Sequence, residues 1–319
     1  MAGAPATRRP GRGGPGWYRG DCHVHSVHSD GELTPAELAA RARAAGLDFL
    51  AVTEHNRAAP YDAWAGLGGD DLLVLLGQEV TTRTGHWLAL GLRPGQLVDW
   101  RHRVGDPAFG RALREVRAAG GLCVAAHPHA PYPGGDLMFP LEDFDAVEVW
   151  NGQWASDLPW NADNAAALAE WGRRLAVGVH AGSWQPALGS SDTHLDGQLG
   201  TPQTVVHAEE LSAPAVLAAL RAGRSWIAES AAVRLEFTAE AAGRRAGIGE
   251  RLATGGAPVS LRLRLSGVPG AQASVHTERG RAPWTAGWTT SAAETSFVRV
   301  EVRRGDGRVA ALTNPVLLA

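Results

Sequence analysis

Asp21-Cys22-His23-Val24-His25 opens the stretch on which the reading of this chain turns; it continues through Ser29-Asp30-Gly31 and ends at Thr53-Glu54-His55-Asn56. His23, His25, Asp30 and His55 are potential metal ligands, each in a turn or at the end of an apolar run. Residues 17–24 read as a short strand, and side chains two apart on a strand project to the same side, so His23 and His25 form a pair. Neutral imidazole suits Zn, Mn or Fe, and a neighbouring carboxylate adds charge. Thr34-Pro35-Ala36-Glu37 is a capping box with proline at the first helical position, and the helix it starts is expected to stop at Gly46. Residues 48–53 follow as a buried strand that delivers Glu54 and His55 to its C-terminal end. Polar residues gathered at strand ends are the arrangement of β/α-barrel active sites. A His-x-His alone is weak evidence, because such pairs also occur on exposed strands.

The alternation continues. Residues 71–76 predict a third strand ending in Gly77-Gln78-Glu79-Val80, and a hairpin-like return over 81–85 leads to a fourth strand, 86–90. A helix starts at Asp106-Pro107 and ends at Gly120-Gly121. Strand five, 122–126, runs into His127-Pro128-His129, and residues 145–150 give strand six. A helix capped by Asn161 carries Leu168, Trp171, Leu175 and Val179 at helical spacing and places His180 at its end, on the surface. Strand seven, 184–188, precedes Gly189-Ser190-Ser191-Asp192-Thr193-His194, and a last helix, 212–222, precedes residues 224–228. From Val233 onward the period becomes two, as in Leu261-Arg262-Leu263-Arg264-Leu265 and Phe297-Val298-Arg299-Val300-Glu301-Val302, the mark of a small antiparallel β domain. A boundary is therefore expected near 230, with a main domain over 17–230 and a sandwich-like domain over 231–319.

The chain of 319 residues has room for one large and one small domain. A net charge of -3, without a basic tract beyond the N-terminus, gives no sign of a general nucleic-acid surface. All 30 Lys+Arg positions are arginine, which excludes Schiff-base lysines and phosphate-loop lysines. Cys22 and Cys123 lie in apolar runs and read as buried free thiols of an intracellular protein. Residues 1–16, rich in Gly, Pro and Arg, are expected to be disordered. Arg8-Arg9 lacks the apolar run of an export signal, and no segment approaches transmembrane length, so a soluble, cytoplasmic protein is expected.

Collected, the strand-end residues are His23, His25, Asp30, His55, Glu79, His86, His127, Asp192 and His194. A set of N and O ligands without cysteine is unlike a closed structural zinc site. The set resembles the PHP (polymerase and histidinol phosphatase) superfamily, whose pattern is a His-x-His, a Ser-Asp-Gly turn and a Thr-Asp/Glu-His ending strand two. Glu54-His55-Asn56 is most similar to the CehA/McbA-type, carbaryl-hydrolase-like branch. The resemblance spans residues 19 to about 200, with Ser191-Asp192-Thr193-His194 as its last element. It implies an α/β fold, a distorted (β/α)7 barrel, consistent with the strands counted above. It also implies how the ligands divide: His23, His25, Glu79 and Asp192 on one metal; Glu79 bridging to a second with His86 and His127; Asp30, His55 and His194 on a third. His129 competes with His86 for the second metal.

Two or three divalent ions (Mn, Zn or Fe) are therefore expected as cofactors, with a hydroxide shared by two of them as nucleophile. Glu79, Asp192 and His194 form the catalytic group. Arg57 and Arg83 either clamp an anionic substrate or face solvent as loop arginines. Trp150, Trp154 and Trp160 fall in or beside the loop after strand six, where Trp154 either stacks a substrate ring or packs within a lid; Trp87 and Trp184 read as core. With His129 these residues make up the expected substrate site. The reading is a metal-dependent hydrolase, in the first place a phosphoesterase acting on a small-molecule phosphate ester. The alternatives are a carbamate, ester or amide hydrolase on a small aromatic substrate, and a non-catalytic metal-binding module. Nucleic acid is expected only as short oligonucleotides; no membrane partner is expected, and the oligomeric state stays open.

Overall fold

The computed structural model describes residues 13–58 and 60–319, so most of the expected N-terminal tail lies outside the described residues. The main unit contains β1 (Gly16–Asp21), α1 (Pro35–Ala44), β2 (Phe49–Val52), α2 (Tyr61–Trp64), β3 (Leu73–Thr82), β4 (Gly85–Leu90), α3 (Pro107–Ala118) and β5 (Leu122–Ala125). It continues with β6 (Ala146–Asn151), α4 (Asn164–Ala181), β7 (Ala187–Ser190), β8 (Gln203–Ala208), α5 (Ala213–Arg221) and β9 (Ser225–Ala228). In space the strands run β9-β8-β1-β2-β3-β4-β5-β6-β7. The capping box forms as expected: Thr34 accepts from Glu37 N, and the Glu37 carboxylate accepts from Thr34 N at 2.9 Å. Leu38, Ala39 and Ala42 then face the core. β2, Phe-Leu-Ala-Val, is buried at every position, as a central parallel strand must be.

The sheet is mixed and curled, which departs from a regular sevenfold β/α repeat. β1–β2, β2–β3, β5–β6 and β6–β7 pair in parallel, whereas β3–β4 and β4–β5 are antiparallel. The link over 83–84 is too short to carry a crossover, so β4 has to run back along β3. β8, which the sequence reading passed over, lies antiparallel to both β1 and β9. Other boundaries move as well. β1 stops at Asp21, β3 extends through Glu79, the cap of α4 is Asp163 rather than Asn161, and β7 begins at Ala187, leaving Trp184 outside it as a partly buried residue against the core.

The C-terminal part contains β10 (Arg234–Ala241), β11 (Arg244–Gly247), β12 (Arg251–Leu252), β13 (Val259–Ser266), β14 (Gln272–Thr277), β15 (Gly280–Pro283), β16 (Thr289–Thr290), β17 (Phe297–Arg303), β18 (Val309–Thr313) and β19 (Val316–Leu318). β11-β10-β13-β16 is a separate antiparallel sheet. The other strands extend the main sheet, because β18 pairs with β9, so a hydrogen-bonded ladder crosses the expected boundary near 230. β17 alternates as read, but its polar face does not meet water. Arg299 is 5% and Glu301 2% exposed, and the Arg299 guanidinium lies 5.0 Å over the Trp171 ring of α4. No helix among the described residues is long and apolar enough to cross a membrane.

Side chains close the ring where no backbone ladder does. β7 pairs only with β6 on its ladder side. Toward β8, Gly189 N donates to Thr204 Oγ1 at 3.0 Å, and that hydroxyl donates to Gly189 O at 2.6 Å. A Cβ at Gly189 would lie 2.4 Å from Ile227 Cγ2, so only glycine lets β7 come this close to β9. Asn314, from the turn between β18 and β19, completes the seam. Its Oδ1 accepts from Ala187 N at 2.8 Å, and its Nδ2 donates to Ala187 O at 3.1 Å and Ser225 O at 3.0 Å. Asn314 is 1% exposed, so its removal leaves buried partners unpaired. Asn314→Ala is expected to lower stability by roughly 3 kcal/mol, read as a lower urea midpoint; an unchanged midpoint would show that the seam is held elsewhere.

Candidate metal centre

The loops at the strand ends place the ligands. After β1 the chain leaves the sheet, but Val24 stays pinned: its N donates to Thr53 Oγ1 at 2.8 Å, its O accepts from Thr53 N at 3.0 Å, and it bridges Thr193. His23 and His25 on either side of it therefore project together, as the two-residue spacing implied, although no regular strand continues there. The following turn folds back tightly, with Ser29 N and Gly31 N both donating to Ser26 O at 3.0 Å. A Cβ on Gly31 would sit 2.5 Å from His25 O, so the glycine of Ser-Asp-Gly is a steric requirement. Buried Glu54 holds the turn by accepting from Ser26 N at 3.2 Å and from the Ser26 and Ser29 hydroxyls, which presents Asp30 to the site. His55, just after β2, forms an isolated bridge with Glu79 within β3.

All of His23, His25, Asp30, His55, Glu79, His86, His127, Asp192 and His194 come together. Glu79 Oε2 lies 3.3 Å from His23 Nε2, 3.3 Å from His25 Nε2 and 2.8 Å from His55 Nδ1. Glu79 Oε1 lies 2.8 Å from His86 Nδ1 and 3.1 Å from His127 Nε2. Asp192 Oδ1 is 3.3 Å from His23 Nε2 and 3.0 Å from His25 Nε2. Asp30 bridges His55 Nε2 and His194 Nε2, each at 3.3 Å. Among the described residues, three groups have ligand atoms close enough to share a cation: His25, Asp30, His55 and His194; His23, His25 and Asp192; and His23, Glu79 and His127.

Within these groups His23 Nε2, His25 Nε2, Glu79 Oε2 and Asp192 Oδ1 are buried and have no aligned hydrogen-bond partner among the described residues. Buried polar atoms are nearly always paired, so four such atoms facing one another at 3.0–3.3 Å fit donors directed at a common ion.

The local field agrees. Burial opposes charge on Glu79, but His55, His23 and His86 hold its carboxyl well below the usual range, and His23 and His25 do the same for Asp192. Burial likewise opposes charge on His55, yet Glu79 and Asp30 push it up to about 10. His194, also opposed by burial, is raised by Asp30 and Asp192 to about 9. His25 goes the other way, lowered by burial and by its neighbour His23. A pocket whose ionised carboxylates favour positive charge on the neighbouring imidazoles attracts divalent cations by the same electrostatics.

The expected substrate residues are scattered around this cluster. Arg57 and Arg83 are exposed, on the loop after His55 and in the β3–β4 turn. His129 bonds Glu170 at 2.8 Å and belongs to none of the three ligand groups. Trp154 meets Trp150 edge to face at 5.3 Å and carries Arg303 at 5.6 Å, which is packing within and beneath its loop. Trp160 is exposed. His180, as read, is exposed at the end of α4, and Trp87 is core. The sequence reading missed Glu148 and Asn151, buried polar residues of β6 beside the ligands; a charged residue inside the apolar run Ala146-Val147-Glu148-Val149-Trp150 was the available signal.

No protein-family model matches the chain. No curated protein sequence matches it either. Among solved structures it is similar to a two-domain protein containing a predicted PHP-like metal-dependent phosphoesterase from Bacteroides vulgatus, at 17% identity and a TM-score of 0.50, covering 98% of this chain and 100% of that one. That likeness is one of fold, and it extends over both parts of the chain. A lesion-specific endonuclease from Pyrococcus furiosus (15% identity, TM-score 0.42, 65% of this chain and 56% of that one) matches less closely. So does an amidohydrolase from Chromobacterium violaceum (19% identity, TM-score 0.39, 56% and 88%).

Glu79 faces more of the ligand histidines than Asp30 does. Glu79→Ala is therefore expected to lose more bound metal than Asp30→Ala, which leaves the His23–His25–Asp192 and His23–Glu79–His127 groups intact. Metal analysis of both variants by mass spectrometry, beside wild type, checks this; equal losses would contradict it.

Proposed function

We propose that the chain is a metal-dependent hydrolase of PHP type, nearest the CehA/McbA-like branch, and that it cleaves a phosphate ester of a small molecule. The observation that carries this reading is the cage of buried, unpartnered ligand atoms formed by His23, His25, Glu79 and Asp192. Two or three divalent ions (Mn, Zn or Fe) held by the nine ligands would supply water of lowered pKa and Lewis-acid pull on an ester oxygen. Glu79, with one oxygen toward His23, His25 and His55 and the other toward His86 and His127, is suited to span two ions. Asp30, with one oxygen toward His55 and the other toward His194, is suited to a further one.

Arg57 and Arg83 favour an anionic substrate over a neutral one. Both are exposed, in the loop after His55 and in the β3–β4 turn, and neither guanidinium has an ion-pair partner among the described residues, which leaves each able to meet a phosphoryl oxygen. Carbamate, ester or amide cleavage remains the second reading, supported by the Glu54-His55-Asn56 form of the motif.

Hydrolysis of bis-p-nitrophenyl phosphate, p-nitrophenyl phosphate and p-nitrophenyl acetate, with added Mn, Zn or Fe, separates these readings. Phosphoester turnover that disappears in Glu79→Ala is the expected result. Acetate turnover alone would favour the second reading, and no turnover despite full metal content would favour a binding module. Arg57→Ala and Arg83→Ala are expected to raise KM for the phosphoester by roughly tenfold and to keep wild-type metal content.

A further inference from the structure

Glu148 is a buried carboxylate that belongs to none of the three ligand groups found among the described residues, yet it touches two of the residues that form them. Its Oε1 lies 3.2 Å from His23 Nδ1. Its Oε2 accepts from the backbone N of His127 at 2.8 Å and from Asn151 Nδ2 at 3.1 Å. Asn151 Nδ2 also reaches Asp192 Oδ2 at 3.2 Å. Asn151 is itself held by Asn164 at the start of α4, whose side chain bonds the Asn151 N at 2.8 Å and its O at 3.1 Å.

Two consequences follow from chemistry alone. A carboxylate against Nδ1 keeps the proton on that nitrogen, which leaves Nε2 of His23 with a lone pair. That nitrogen points at Glu79 Oε2 and Asp192 Oδ1, both at 3.3 Å, so a positive charge, a proton or a metal ion, belongs between them, and with Nδ1 protonated Nε2 is the nitrogen able to bind the ion. The second consequence concerns the backbone. His127 has φ +25° and Asp192 φ +50°, conformations that cost non-glycine residues energy and need support from their surroundings. Glu148 supplies it to His127 directly and to Asp192 through Asn151.

We infer that Glu148 is a positioning residue for the metal centre, fixing the His23 tautomer and, with Asn151, holding His127 and Asp192 in place. The inference rests on the reading of this cluster as a metal site. Glutamine cannot replace the carboxylate. It has one accepting oxygen, whereas Glu148 accepts from donors at both of its oxygens, so an NH2 group must face either His23 Nδ1 or the His127 N–H.

The test titrates metal-free wild type and Glu148→Gln with Zn2+ against a competing chelator, and follows the histidine ring nitrogens by 15N–1H spectroscopy in the zinc-loaded proteins. Wild type is expected to show His23 protonated at Nδ1, its signal assigned by loss in His23→Ala. Glu148→Gln is expected to bind Zn2+ roughly 10- to 100-fold more weakly and to lose that Nδ1–H signal. Equal affinity with an unchanged signal overturns the inference. If Glu148→Gln does not fold, the wild-type spectrum still decides, because a His23 proton on Nε2 overturns it. Wild type that binds no Zn2+, Mn2+ or Fe2+ overturns the metal reading itself, a result distinct from either of these.

Discussion

A carboxylate buried from solvent must be surrounded by groups that stabilise its charge, and Glu79 is such a carboxylate. It contacts five imidazoles, those of His23, His25, His55, His86 and His127, which arrive from the ends of β1, β2, β4 and β5. Those strands have to converge for Glu79 to remain ionised, and their convergence makes the pocket. The residue at the centre of the charge network lies in the part of β3 that runs on past β2 and pairs with β4, where packing fixes its position.

Much of this was legible from local chemistry. The Thr34–Glu37 box, the His23–His25 spacing, the Ser-Asp-Gly turn and the polar residues ending each apolar run all depend on neighbours in sequence, so their consequences could be read there. What escaped depended on partners far along the chain. Glu148 looked like one residue of a strand because His23 and His127 are distant in sequence. β8 was missed because the strand it pairs with most fully, β1, is remote in sequence. The period of two in β17 marks a strand but not what covers its polar face, and that depends on α4, whose Trp171 lies under Arg299. Trp184 was placed in a strand because an apolar run gives no register, and β7 starts only after Pro186.

The two parts of the chain are bound by more than proximity. The β9–β18 ladder continues one sheet into the other, and Arg299 and Arg303 of β17 stack on Trp171 and Trp154. Trp154 sits on the loop pinned by Asn164, the residue that also fixes Asn151 beside Asp192. The C-terminal strands therefore support the floor under one side of the ligand cluster.

Asn314 gives that support a temporal meaning. Its partner Ala187 lies 127 positions earlier in the chain, and bringing such distant segments together is a slow, entropically costly part of folding. β7 leads directly into Asp192 and His194, so the segment carrying these two residues is braced by the C-terminal strands as well as by β6 and by Val24. A chain without the C-terminal strands therefore lacks one brace of the segment that carries Asp192 and His194 and keeps the histidines of the early loops.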